Sequence, residues 1–562
     1  MIRSRAPRIF MDNEKRTLLA LGLMMAFLYV WFEYFIPKPV RTPTPAATPA
    51  PGATIAGTPS AKEAAEAPKR RDGPASSVIP LKEWSAETPL MHLRWTNRPG
   101  TPAEILLKKY RTTAAKDAAP VAVVPFRGEA PPPLRWELEI EGQRWSDENA
   151  SYTEVSRGDA EVTYETSVGP DLFLRKKFSW NPKNYSIEAS VEILNRRSQA
   201  VKAKAITRLS SRAEEAKGSM LSQPPDNVRV AAFINETSVR VEKKAIPSQP
   251  SADLSAWKPL PEGNIDWAGF DSRYFLMALI PVEGRWSEVR LNSDADALRI
   301  DMALIYPPRE IAPSGSASYR VQFFTGPKDI GVLEASSAAS LDRAIDLGDW
   351  LGPIARPILF FLRWLHSLLP NYGVAIILLT IVVRLLMFPL AHMQAKSMKK
   401  MQQHKPELDA IREKYKDNKE AQARETMNYM RKYKVNPMGG CLLLLPQMPI
   451  FFALYRVLYN SIELRHAPFF LWIHDLSAHD PYYVTPVILG VLMVMQQRLT
   501  PTPGVDPAQQ TMMKIMPVIF SALMLFLPAG LTLYILVSTL WGVAQQYWVQ
   551  GGWTVAPAPA KT

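Results

Sequence analysis

The sequence predicts a multi-pass α-helical membrane protein with six spans, five of them forming a core, and a large antiparallel β-sandwich domain on its outer face. Three observations carry this reading. Long apolar runs occur near the start of the 562-residue chain and again after residue 350. A central stretch alternates polar and apolar residues with period two, the pattern of half-buried strands. Lys and Arg concentrate in alternate loops, the bias that orients membrane spans. The net charge is +13, and because it flanks apolar runs it calls for no nucleic acid. Cys441 is the single cysteine, so no internal disulfide can form.

Residues 1–16 read as a cytoplasmic N-terminus. Arg3, Arg5, Arg8, Lys15 and Arg16 outweigh Asp12 and Glu14 there. Met11 opens "MDNEKR" and is an alternative to Met1 as the start. Residues 17–36, "TLLALGLMMAFLYVWFEYFI", are long enough to cross a bilayer. They read as an uncleaved anchor. A cleaved signal peptide competes, but the run is long for one and "IPKPV" follows instead of an A-x-A site. Residues 37–80, rich in Pro, Ala and Thr, form a semi-extended linker.

Residues 81–345 contain "RWELEIEG", "DLFLRKKFSW", "YSIEASVEIL" and "SYRVQFFTG", short alternating runs separated by turn residues. They predict the β-sandwich. "GVLEASSAASLDRAIDLG" then predicts a helix leaving the sheets. Residues 351–370 carry Arg356, Arg363 and His366 among large apolar residues and predict an amphipathic helix in the interface. Five further spans follow at 372–390, 441–460, 482–499, 512–527 and 531–548. "PAG" joins the last two and predicts a tight antiparallel hairpin between them.

Loop charges orient the threading. Residues 391–440 hold twelve Lys/Arg against six Asp/Glu, so this segment should be cytoplasmic. It predicts a helical hairpin, with Met398, Met401, Leu408, Ile411 and Tyr415 on one stripe and Asp417 with Glu420 starting the second helix. A solvated lid and a partner-docking site are both open readings for it. The loop 461–481 should lie outside, and 500–511 and the tail 549–562 inside. Among His466, His474, His479 and Asp475, loop packing outranks a metal site. No span holds the paired carboxylates of a proton relay, there is no inverted repeat, and no Gly–Lys pair exists to make a P-loop.

Arg384 stands within "TIVVRLLMFPL". It lies roughly 18 Å along a helix from Tyr372 and about 9 Å from Leu390, in the cytoplasmic half. One reading is an arginine that snorkels to the inner headgroups. The other is a hydrated pocket, because Thr380 is one turn away and Gln447, Gln496, Gln497, Gln545 and Gln546 also thread into the inner half.

"VNPMGGCLLLLPQMPIFFALYRVLYN", with "TIVVRLLMFPL", "DPAQQTMMKIMPVIF" and "LPAGLTLYILVS", resembles the YidC-type membrane protein insertases. The likeness is close over roughly 350–550 and looser in the outer domain, through "DSRYFLMALIP" and "GPKD". The order of anchor, β-domain and five spans is that of the Gram-negative branch.

The resemblance implies a protein of the bacterial inner membrane, both termini cytoplasmic, that inserts and helps fold integral membrane proteins. It implies no bond chemistry, no cofactor and no metal. It implies work alone or with the Sec translocon, on nascent membrane proteins in the lipid bilayer, with ribosome or signal-recognition machinery at the cytoplasmic loops. By the family's pattern Arg384, Thr380 and Gln447 form a substrate groove open to the cytoplasm. Phe451, Ile519 and Leu523 form an apolar slide. Tyr534 and Ile535 share a position at which either could meet the guest, since relatives can carry a second tyrosine there. A transporter or channel is the alternative reading. A sugar-processing outer domain is a third, and it leaves the five-span core unexplained.

Overall fold

The computed structural model describes residues 79–124, 132–212, 228–248, 253–294, 299–336, 340–348, 350–433, 444–499 and 507–550. The expected first span at 17–36, the linker up to residue 78, Cys441 and the tail from 551 lie outside these.

The β region is built from three antiparallel sheets. Strands Glu83–Glu87, Met91–Thr96, Thr101–Arg111 and Pro120–Val124 form the first, in chain order. A nine-stranded sheet runs Thr237–Val241, Arg229–Ile234, Ile265–Asp271, Phe275–Glu283, Ser316–Pro327, Ser186–Asn195, Leu172–Trp180, Glu161–Gly169, Thr153–Arg157. A seven-stranded sheet runs Lys258–Pro259, Glu288–Asp294, Arg299–Ile305, Val201–Arg212, Leu134–Ile140, Gln143–Ser146, with Arg309–Ile311 beside Val201–Arg212.

Period-two alternation aims Leu134, Trp136 and Leu138 into the core, with Trp95, Trp267, Phe178 and Phe323 also buried. Truncating such an aromatic costs about 3–5 kcal/mol. In "RWELEIEG" the alternation does not mark a wet face, because Arg135 and Glu137 are also buried. The segment carrying Trp257 covers them, with Arg208 over its ring at 4.2 Å. Beneath it Arg208 Nε pairs with Glu137 at 3.0 Å and Arg135 with Asp301 at 3.2 Å. Buried charges survive only in such pairs.

The helix expected across "GVLEASSAASLDRAIDLG" is instead a short α1, Ile330–Ala335, followed by a 3₁₀ turn at Leu341–Ala344. Asp329 starts α1 by accepting from the Gly331 and Val332 amides at 2.8 and 3.2 Å. Ser336 ends it, its hydroxyl taking the Leu333 carbonyl at 2.7 Å in competition with helical bonding.

Next comes α2, Gly352–Leu368. It buries Ala355, Leu359, Leu362 and Leu365 while Phe360, Trp364 and Leu368 stay exposed, the two faces of an amphipathic helix. Helix α3 spans Tyr372–Gln403. The helix runs through Pro389 and extends 13 residues beyond the span expected at 372–390. A proline forfeits one helical hydrogen bond, and the helix-forming "AHMQAKSMKKMQQ" sustains the turn pattern beyond it.

The hairpin's first limb begins inside α3 and resumes as α4, Lys405–Lys414, and its second limb is α5, Lys419–Lys432. Asn418, not Asp417, caps α5, accepting from the Ala421 amide at 2.9 Å. Asp417 is one residue too early for the N-cap geometry. On the expected stripe Met401 and Leu408 are buried and Ile411 and Tyr415 half-buried. His404 Nδ1 and the Tyr429 hydroxyl, 2.9 Å apart, also link the limbs.

Four further helices follow among the described residues: α6 Leu444–Asn460, α7 Val484–Leu499, α8 Pro507–Met524 and α9 Ala529–Gln550. By length and composition α3 is long and apolar enough to cross a membrane among the described residues, and Val484–Leu499 and Thr511–Met524 are shorter apolar helices. Helix α9 packs along α3 and α7 and touches α6, while α8 packs on α7. The expected α8–α9 hairpin does not form. The turn is tight, but the Ala529 and Gly530 amides bond to the Ala478 and Leu476 carbonyls of the outer loop at 2.6 and 2.9 Å. That anchorage sends α9 away from α8.

The same outer region buries Glu463, whose Oε1 has no hydrogen-bond partner. Arg363 Nε is 4.0 Å away and reaches Asp329 at 3.8 Å, so it pairs closely with neither. Tyr110 and Tyr372 also face this carboxyl. Burial pushes the Glu463 carboxyl up from 4.5 to about 7, with Asp329 adding repulsion and Arg363 opposing it. As pH rises through this window the folded protein keeps a proton the unfolded chain has lost, so stability falls and then levels off above about 7. Thermal unfolding in detergent at pH 5 and pH 8 checks this. Glu463→Gln should narrow the difference between the two, and an unchanged difference refutes the assignment.

Candidate substrate groove

The residues expected to line a groove come from three helices. On α3, Arg384 is half-buried, and its Nε donates to the Ser538 hydroxyl of α9 at 2.8 Å. Its Nη2 reaches the same oxygen. Tyr534 precedes Ser538 by one turn of α9, is 2% exposed, and its hydroxyl lies near the side chains of Ser538 and of Gln447 from α6. Arg384, Ser538, Tyr534 and Gln447 thus converge between α3, α9 and α6. No carboxylate pairs with Arg384 among the described residues. An arginine inside a helical bundle is tolerated where polar groups, backbone carbonyls or water reach it.

Thr380 lies one turn from Arg384 but is fully buried, and its hydroxyl donates to the Ile376 carbonyl of its own helix at 2.6 Å. It packs the wall and leaves Arg384 to Ser538. Ser538 is the partner of Arg384 that sequence reasoning missed. Its signal was its place four residues after Tyr534, on the same face of an apolar helix.

The apolar residues separate into two groups. Phe451 is half-buried one turn from Gln447, its ring 5.8 Å from that of Phe452. On α8, Ile515, Val518 and Ile519 are exposed and Leu523 is half-buried. Ile535 is 8% exposed within the core. Tyr534 therefore belongs with Arg384, and Ile535 does not share the open face of Ile519.

The glutamines join helices. Pro517 deprives the Met513 carbonyl of its helical donor, and the Gln497 amide of α7 bonds that oxygen. Gln546 donates to the Leu499 carbonyl at 2.8 Å, satisfying the open end of α7. Gln496 packs where a Cβ on Gly542 would lie 2.6 Å from its amide. Ser521 of α8 donates to the Pro486 carbonyl of α7 at 2.7 Å, beside Gly490.

Two acidic groups of the loop 461–481, Asp475 and Asp480, are spent on local hydrogen bonds. Asp475 accepts from the His466 amide and from Ser477, and Asp480 accepts from Thr485 and Trp472. His479 stacks on Tyr483. Among the described residues no three His, Cys, Asp or Glu side chains converge as metal ligands would.

The family model for the 60Kd inner membrane protein matches residues 364–554, and that for the YidC periplasmic domain matches 83–361. The membrane protein insertase YidC of Syntrophus aciditrophicus is 34% identical over 95% of this chain and 99% of its own. The chain belongs to the YidC family of membrane protein insertases. The Geobacter metallireducens insertase is likewise 34% identical, over 98% of this chain and 100% of its own. A solved structure described as an active YidC insertase with its first transmembrane domain resolved is 24% identical, covering 84% of this chain and 93% of that one, with a TM-score of 0.37. The protein is thus an inner-membrane insertase, not an enzyme, and its sheets form the periplasmic domain of the family.

Within this insertase the α7–α8 crossing depends on a missing side chain. A Cβ on Gly490 would lie 2.7 Å from Ser521 Oγ, where small residues let helices approach closely. Gly490→Leu should cost about 1–3 kcal/mol and lower the thermal unfolding midpoint in detergent. Gly352→Leu, where a Cβ meets nothing within 4 Å, should have a smaller effect. Equal midpoints for the two variants count against the close crossing.

Proposed function

We propose that guests enter through a hydrated groove, open to the cytoplasm, whose floor is Arg384. The observation that carries this is the Arg384 guanidinium held between α3 and α9 by Ser538, with no other side-chain partner among the described residues and with Gln447 and Tyr534 nearby. Such a site receives a polar or anionic tail and lets it replace water. The guest's apolar segment then slides past Phe451 and the exposed faces of Ile519 and Leu523 into lipid. Tyr534 lines the groove in this scheme, Thr380 closes its wall, and Ile535 supports Tyr534 from the core.

The drive comes from burying the guest's own span, about 0.8 kcal/mol per CH₂. A membrane potential assists a negative tail. The scheme includes six spans, the first at 17–36 and the second within α3, with both termini in the cytoplasm. Loop charges support that orientation, since 391–440 is strongly basic. The α4–α5 hairpin on that side is suited to meet the ribosome or signal-recognition machinery, and the Sec translocon is a partner for larger guests.

Purified protein in liposomes should insert a short single-span guest when empty liposomes do not. Arg384→Ala should cut insertion roughly tenfold, the scale of one charge-assisted hydrogen bond, with topology preserved. Arg384→Lys should retain part of the activity, because a wet groove accepts a cation. Undiminished insertion by Arg384→Ala, with correct topology, sinks the groove and restores the snorkelling arginine.

A further inference from the structure

The outer end of α6 is fastened to the periplasmic domain by polar contacts. Arg456 Nη1 lies 3.2 Å from Asp346 Oδ1, and the Asn460 amide donates to the Asp346 carbonyl at 2.8 Å. Arg273 Nε donates to the Tyr459 carbonyl at 2.8 Å, with its guanidinium 3.8 Å from the Tyr459 ring. Asp346 is gripped from the other side as well. Arg229 Nη2 lies 3.0 Å from its Oδ2 and 2.9 Å from Asp271, whose other oxygen takes Lys328 at 2.6 Å. Asp271 and Lys328 are buried. One carboxylate thus bridges the nine-stranded sheet and a membrane-core helix. Burial alone would raise the Asp346 carboxyl, but Arg240, Arg229 and Arg456 hold it well below the usual carboxylate range. The bridge is therefore charged at every physiological pH.

The two halves of α6 differ. Ala453, Leu454, Tyr455, Val457 and Leu458 are buried, whereas the described residues from Gln447 to Phe452 are only half-buried. Pro449 removes one helical bond from that inner half. Gln447 is nine residues from Arg456, about 14 Å along the axis. A helix held firmly at one end and loosely at the other behaves as a lever. Tilting it by about 10° at Arg456 moves Gln447 by about 2 Å over that length.

We infer that Asp346 is a positioning residue for insertion: by holding Arg456 and Asn460 it sets the tilt of α6, and with it the placement of Gln447 and Phe451 opposite Arg384. This rests on the groove proposed above. The periplasmic domain thereby has a part in the membrane step without touching the guest.

The test uses the full chain in liposomes. Asp346→Asn keeps the shape and the backbone carbonyl but removes the charge, and it should lower insertion about threefold or more. Arg456→Lys, which keeps the charge, should retain most of it. A geometric readout accompanies activity. With Cys441→Ser removing the native cysteine, the pair Gln447→Cys and Tyr534→Cys should form a disulfide readily, and adding Asp346→Asn should reduce its yield. Asn460→Ala removes one bond at the outer end and should move both readouts the same way if Asp346→Asn fails to fold. Wild-type insertion or an unchanged disulfide yield in Asp346→Asn overturns the positioning role. Normal insertion by Arg384→Ala overturns the groove as well, whereas an unchanged disulfide yield overturns the lever alone.

Discussion

Inside a bilayer, every backbone or side-chain polar atom must be satisfied within the protein or by trapped water. Most of the membrane-core architecture follows from that constraint. The helices α3, α6 and α8 each contain a proline, and each proline costs a helical hydrogen bond. Where Pro517 opens α8, Gln497 arrives from α7. Where α7 ends, Gln546 arrives from α9. Residues that look like ordinary polar use at span ends are the cross-links between helices. Arg384 is the exception in kind. Its partner Ser538 is neutral, and its charge is uncompensated by any carboxylate among the described residues.

The periplasmic domain solves a different problem. Its sheets bury charges as well as aromatics, and each buried charge is paired. Arg208 with Glu137, Lys176 with Asp147 and Lys328 with Asp271 fix side chains in one arrangement at the cost of their desolvation. The Asp271 group extends this pairing to Asp346 and so to α6. The domain and the helical core are joined through directional contacts, which hold an angle better than apolar packing does.

Much of this was readable in one dimension. Period-two runs such as "DLFLRKKFSW" have one apolar face whatever surrounds them, so the strands were predictable. Alternating loop charge and apolar length do the same for the helical region, and a lone arginine in "TIVVRLLMFPL" stands out without any structure. What failed were inferences that ended at a local signal. Asp417 did not cap its helix, and "PAG" did not pack the two helices it joins against each other. In each case neighbouring residues or contacts distant in sequence supplied more than the local preference.

By itself, then, the sequence determined the class of the protein, most of its strand and helix segments, and the lone arginine on which the proposed groove rests. Those depend on burial and period, which are properties of short stretches. Only the tertiary structure decided that Ser538 holds Arg384, that Tyr534 turns toward it while Ile535 turns into the core, and that Asp346 grips α6. These depend on where helices cross. Crossing is set by side chains meeting from distant segments, 154 residues apart in the case of Arg384 and Ser538, and no local pattern encodes that meeting.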